Sequence, residues 1–292
     1  MALTGKFVLP IFFATLFLGA IVLGPLLYFA LQPFHVPFHR AMDRALLISA
    51  VASLFLFAGK MPWGKLWPLG RGSWLQLLLG LLIAFVSAQT MLGANLALAG
   101  FTSSHLEGGK AIARVGIALV AALLAAPLEE TVFRGFLQRE LIAGLGWRAG
   151  LGLGALIYTI AHFLKIPESL DSQPVHLWSG ATALVEAFRP LAQGDFLGGK
   201  GLNLFLIGLI LGGVYLRSGA LWIGAGIHSG WILTLLLFTG FTRPVKPPFF
   251  AIFGGDILSS LSTTLVLIVT GIWLWRFYRH PSVLPETGAS AP

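Results

Sequence analysis

Long apolar runs alternate with short polar joints along the chain. No Asp, Glu, Lys or Arg occurs between Lys6 and Arg40, which predicts a first membrane span over 7–31. That run is too long for a signal-peptide core and ends in no small-x-small cleavage site, so a retained span is expected. Further apolar stretches predict spans near 45–59, 74–98, 111–136, 148–163, 201–216, 220–238 and 257–275. Between the fifth and sixth lies a more polar insertion, 164–200, with a short interfacial helix expected at 182–188. It is a candidate lid or substrate access route. The tail 280–292, rich in Pro, Ser and Ala, is expected to be disordered.

Composition agrees with this pattern. Hydrophobic residues make up 57% of the 292 and charged residues only 10%, against about 25% charged in a typical soluble domain. The expected fold is all-α: a polytopic membrane protein of about eight transmembrane helices enclosing a polar intramembrane cavity. Residues 1–110 form the N-terminal helices, 111–240 the core that carries the chemistry, and 241–292 the last helix and tail. The chain has no cysteine, which removes disulfides, thiol catalysis and cysteine-held metals. The net charge of +8 forms no dense basic stripe, so nucleic acid is not an expected partner; the lipid bilayer is. With the N-terminus inside, the cytoplasmic side holds nine Lys/Arg against eight on the other. This places both termini in the cytoplasm, in a plasma or inner membrane. Glycines recur at four-residue spacing (Gly146/Gly150/Gly154, Gly208/Gly212, Gly226/Gly230), a pattern that lets membrane helices approach closely.

Ionisable residues inside such spans are costly and need a reason. Glu129 and Glu130 follow a charge-free run from Val115 to Leu128. Glu130 and Arg134, at i and i+4, share a helix face and can pair. Glu129 points about 100° away from Glu130 round the helix. His162 ends the fifth span, on the same face as Tyr158. His228 lies inside the seventh, between Gly226 and Gly230. Taken singly, each has a plain structural reading, such as a solvated helix end or a packed histidine. Together they place two carboxylates, a guanidinium and two imidazoles at membrane depth. Such a set could activate a water and stabilise an oxyanion. No Gly-x-Ser-x-Gly elbow and no His-Glu-x-x-His helix is present. No Asp lies inside a predicted span, which disfavours an aspartyl mechanism.

Three motifs carry a family resemblance. They are Glu129-Glu130-x-x-x-Arg134, Tyr158-x-x-x-His162, and His228 with its approach Leu221-Trp222-Ile223-Gly224-Ala225-Gly226-Ile227. In this the chain resembles the CAAX protease and bacteriocin-processing family of glutamic-type intramembrane proteases. The resemblance spans about 123–235. It implies an intramembrane endopeptidase that hydrolyses a membrane-associated or C-terminally tagged peptide with a glutamate-activated water and no cofactor or metal. Glu129 would be the general base, assisted by His162. His228 would help stabilise the oxyanion, and Glu130 and Arg134 would form a supporting pair. One position departs from the pattern: Ile232 stands where Asn or Asp commonly follows the third-motif histidine. Trp231, Ser229 or Tyr158 are the candidate donors or supporting groups in its place. Substrates implied for the family are prenylated C-terminal motifs, bacteriocin-type peptides and C-terminal membrane anchors. The alternatives are a non-catalytic immunity or scaffold protein of the same family and, from another class, a proton-coupled transporter.

Overall fold

In a computed structural model of the chain, residues 7–99, 101–104, 108–244 and 256–278 are described. The tail expected to be disordered lies outside them. Each of the eight apolar segments is helical. They are α1 (Val8–Leu31), α2 (Phe38–Phe55), α3 (Arg71–Ala99), α4 (Gly108–Glu130), α6 (Trp147–Ala161), α8 (Gly199–Ser218), α9 (Trp222–Phe241) and α10 (Leu261–Phe277), with the shorter α5 (Arg139–Leu145) and α7 (Ser179–Ala187) between them. Among the described residues five stretches are long and apolar enough to cross a bilayer: Val8–Phe34, Arg71–Leu96, Gly108–Leu145, Gly199–Ser218 and Trp222–Phe241. The protein is therefore an all-α integral membrane protein. The number of crossings above five is not fixed by helix length. α2 opens with Arg40, Asp43 and Arg44, while α6 and α10 have only 15 and 17 residues. Among the described residues the only strands form a three-residue antiparallel ribbon, β1 (Phe101–Ser103) with β2 (Thr242–Pro244).

Glycines set the central crossing. A methyl group on Gly226 would overlap the carbonyl oxygen of Leu77, and one on Gly80 would overlap that of Ile223. α3 and α9 thus meet backbone to backbone, as the Gly226/Gly230 spacing predicts. Gly208 faces the Cα of Ala155, and Gly212 faces Gln138 and Leu151, which seats α8 on α6. Gly146 has a different use: its φ of +81° turns the chain from α5 into α6, a conformation open to glycine at little cost.

Three apolar clusters follow. One joins α3, α6, α8, α9 and α10 through residues such as Ala84, Leu211, Ile227 and Leu267. A second packs Phe12 of α1, Phe57 and Phe136 around Leu66 and Leu221. The third joins Phe38 and Met42 of α2 to Ile166 and Leu170 of the insertion and Ala183 of α7. The insertion is anchored rather than free. α7 lies so close to α1 that a methyl on Gly180 would overlap the carbonyl of Ile21, and Asp171 accepts a 2.9 Å bond from the backbone of His39. α7 begins at Ser179, three residues before the expected start.

Candidate active site

The first motif ends α4 and enters a π-helical segment, Thr131–Gln138, where a continuous α-helix was expected. π turns are wide, uncommon and concentrated at functional sites. Here Val132, Arg134, Gly135, Phe136, Leu137 and Gln138 are all buried, so the segment is surrounded by protein. Glu130 and Arg134 still pair, Arg134 Nη1 donating to Glu130 Oε1 at 3.0 Å, with side chains only 1% and 2% exposed. The guanidinium also lies 4.5 Å from the Tyr158 ring centroid, an arrangement that favours a cation over an aromatic face.

The same Glu130 oxygen takes a second bond. His228 Nδ1 lies 2.9 Å from Glu130 Oε1. A carboxylate already paired with a guanidinium is an acceptor, so Nδ1 carries a proton. The other ring nitrogen, Nε2, is turned toward Tyr158 Oη at 3.3 Å and Glu129 Oε2 at 3.6 Å. His162 is fixed in the same manner: its Nδ1 donates to the Tyr158 carbonyl at 2.8 Å. Its Nε2 faces Glu129 Oε2 at 3.9 Å.

Glu129 Oε2 therefore points between two imidazole Nε2 atoms, and it makes no hydrogen bond of its own. Both gaps exceed a direct hydrogen bond. Glu129 and His162 keep 29% and 31% of their side-chain surface open, because both line cavities between the helices. The first cavity, about 270 Å³, lies between α3, α4, α8, α9 and α10. Its walls are mostly apolar and include Met91, Leu204, Ile207, Trp231, Ile232 and Leu235 beside Glu129, Tyr158, His162 and His228. The second, about 550 Å³, lies between α1, α2, the π segment and α6, with Asp43 and Lys165 on its wall. Glu129 and His162 line both.

The expected residues are thus brought together: Glu129, Glu130, Arg134, Tyr158, His162 and His228 form one constellation. Two others are engaged elsewhere. Trp231 Nε1 donates to Ser87 Oγ at 2.9 Å, and Ser229 Oγ donates to the Ala122 carbonyl at 3.1 Å. Trp231 touches the cavity with its ring and Ser229 does not line it. The free hydroxyl nearest His228 Nε2 is that of Tyr158. The bond between Glu130 and His228 had no signal in the sequence, nor did the role of Gly224. A methyl there would stand 3.2 Å from Glu130 Oε2, so its absence leaves room for the carboxylate. Among the described residues no group of His, Asp and Glu is arranged to hold a metal ion.

No curated protein and no solved structure matches the chain. Residues 111–234 match one protein-family model, described as type II CAAX prenyl endopeptidase Rce1-like. The match begins in α4 and ends in α9, and it takes in all three motifs and every residue of the constellation. Over that segment the chain is similar to the Rce1-like type II CAAX prenyl endopeptidases.

Proposed function

We propose that this protein is a glutamate-dependent intramembrane endopeptidase whose catalytic unit is 111–240. The observation that carries the proposal is Glu129 Oε2, unbonded and facing the Nε2 atoms of His162 and His228 at 3.9 and 3.6 Å. A water about 2.8 Å from both Glu129 and His162 fits that spacing.

Glu129 takes a proton from this water while His162 Nε2 orients it, and the oxygen attacks the carbonyl carbon of the scissile peptide bond. The carbonyl oxygen becomes an oxyanion. His228, protonated at both nitrogens, donates to it from Nε2, and Tyr158 Oη stands beside it as a second donor. The Glu130 carboxylate balances the imidazolium, and Arg134 balances Glu130. Such donors act strongly in surroundings that are mostly apolar. The C–N bond then breaks. Glu129 returns its proton to the leaving amine, and the products are a new carboxylate and a new amine.

The family description points to a C-terminal segment carrying a prenyl group, and the apolar walls of the 270 Å³ cavity suit an apolar part of a membrane-associated substrate. In this reading the peptide lies across the site that the two cavities share, and both termini of the chain are cytoplasmic. The test is cleavage of prenylated and unprenylated C-terminal peptides by the purified chain in detergent, with Glu129→Gln and His162→Ala as controls. Cleavage that survives in both variants overturns the reading.

One observation favours a non-catalytic relative. Ile232 lines the cavity and brings no donor where the family pattern has Asn or Asp. That reading predicts peptide binding without cleavage in the same assay.

A further inference from the structure

A second cluster of charge and aromatic surface lies where α6 begins and α8 and α10 end. The Arg148 guanidinium is 5.1 Å from the Trp147 ring centroid. Trp147 stacks on Trp275, with centroids 6.4 Å apart and planes 22° from parallel. Arg217 lies 4.0 Å over the other indole, that of Trp275. Two cations thus bracket a pair of stacked indoles. Arg217 Nε is buried and has no hydrogen-bond partner. Among the described residues, no carboxylate stands within ion-pair distance of Arg148, Arg217 or Arg276. The nearest in sequence, Glu140, is paired with Arg139.

From this cluster a cavity of about 370 Å³ runs between α8 and α10, walled by Leu206, Leu209, Ile210, Ile268 and Ile272. Guanidinium groups beside an apolar surface call for a counter-charge, and indoles gather at the headgroup level of a bilayer. The same end of the bundle is basic. Arg139 bonds the Lys60 carbonyl, and the loop after Lys60 seats on the start of α9 through Leu221 N to Leu66 O and Trp222 Nε1 to Pro68 O.

We propose that this groove binds one anionic phospholipid, its phosphate at Arg217, with Arg148 a second cation across the paired indoles, and an acyl chain between α8 and α10. An anionic headgroup fits better than a choline headgroup. Choline would add a cation beside arginines that have no carboxylate partner among the described residues. The bound lipid bears on the candidate active site through α8 and α10. Leu267, fully buried, lines both this groove and the Glu129 cavity, so the lipid holds one wall of that cavity in place. The proposal stands independently of the proteolytic reading.

The test is native mass spectrometry of the full chain, delipidated in detergent and offered equal phosphatidylglycerol and phosphatidylcholine. The expected result is a monomer retaining one phosphatidylglycerol in preference to phosphatidylcholine, with a raised melting temperature. Each cation near an anionic lipid contributes roughly five-fold, so Arg148→Ala alone lowers the preference about five-fold. With Arg217→Gln added, the loss is about twenty-five-fold by the same reckoning. Arg148 is exposed, so its single variant keeps the test open if the double variant does not fold. Four results overturn the proposal: equal retention of the two lipids, a preference unchanged in Arg148→Ala, an equal thermal shift from inorganic phosphate alone, or a dimer that dissolves in the same variants.

Discussion

Glu130 and His228 are 98 positions apart in the chain, yet Glu130 Oε1 accepts a 2.9 Å hydrogen bond from His228 Nδ1. This one contact fixes which ring nitrogen of His228 faces the cavity. It also places a buried negative charge where it supports an imidazolium. Arg134 on the same oxygen keeps that negative charge tolerable in an apolar bundle.

Replacing Glu129 with Gln keeps the shape and removes the base. Cleavage should fall by about 10²- to 10⁴-fold, the usual worth of a positioned general base. Thermal unfolding in detergent should not shift, because the carboxylate oxygen facing the histidines has no bond to lose. Turnover within a few-fold of the parent would end the role given to Glu129.

Tyr158→Phe and Trp231→Phe separate two possible oxyanion donors. Tyr158 Oη stands 3.3 Å from His228 Nε2, whereas Trp231 Nε1 is bonded to Ser87. The tyrosine variant should lose about 10²-fold in kcat with KM nearly unchanged, as for one oxyanion donor. The tryptophan variant should lose about 1 kcal/mol of stability and keep most of its turnover. Steady-state kinetics paired with melting curves would read both, and the opposite ranking would assign the donor to Trp231.

Arg134→Met leaves Glu130 buried without its main counter-charge. The cost should be about 3–5 kcal/mol, typical when one partner of a buried pair is removed. Adding Glu130→Gln neutralises the stranded charge and should recover part of it. Equilibrium unfolding in mixed micelles measures both. Equal stability of the single and double variants would mean that the pair is not coupled.

Gly226→Ala puts a methyl against the Leu77 carbonyl, which can yield only if α3 moves. A loss of about 1–3 kcal/mol is expected from such overpacking, with weaker cleavage as His228 shifts along with α9. Gly116, in open space on α4, is the control: Gly116→Ala should leave stability unchanged or raise it, since alanine is the better helix former. The two melting temperatures decide.

Much of the architecture was legible in order along the chain. Apolar runs located all eight helices to within a few residues, except that α2 starts at Phe38, earlier than expected, and that the fourth run, 111–136, passes from α4 into the π segment after Glu130. The first turns of α2 carry Arg40, Asp43 and Arg44, and charge was the criterion that excluded them. The Gly226/Gly230 spacing announced a close helix crossing, and Gly80 on α3 completes it. Gly146 misled, because a glycine at a chain reversal has the same spacing as one at an interface. The π segment was invisible, since its residues have ordinary helical character.

What the sequence alone determined was local: an apolar chain destined for a bilayer, and charged or imidazole side chains where burial makes them expensive. That expense marked Glu129, Glu130, Arg134, His162 and His228 as belonging together. Only the tertiary structure decided how they meet. Helix packing brings α4, α6 and α9 together so that Glu130 holds both Arg134 and His228. It leaves Glu129 facing both imidazoles, and it commits Trp231 and Ser229 to neighbours outside the constellation. Spacing along one helix fixes which face a side chain occupies. Which partner it meets depends on backbone contacts between helices far apart in sequence, made possible here by missing side chains at Gly80, Gly208, Gly212 and Gly226.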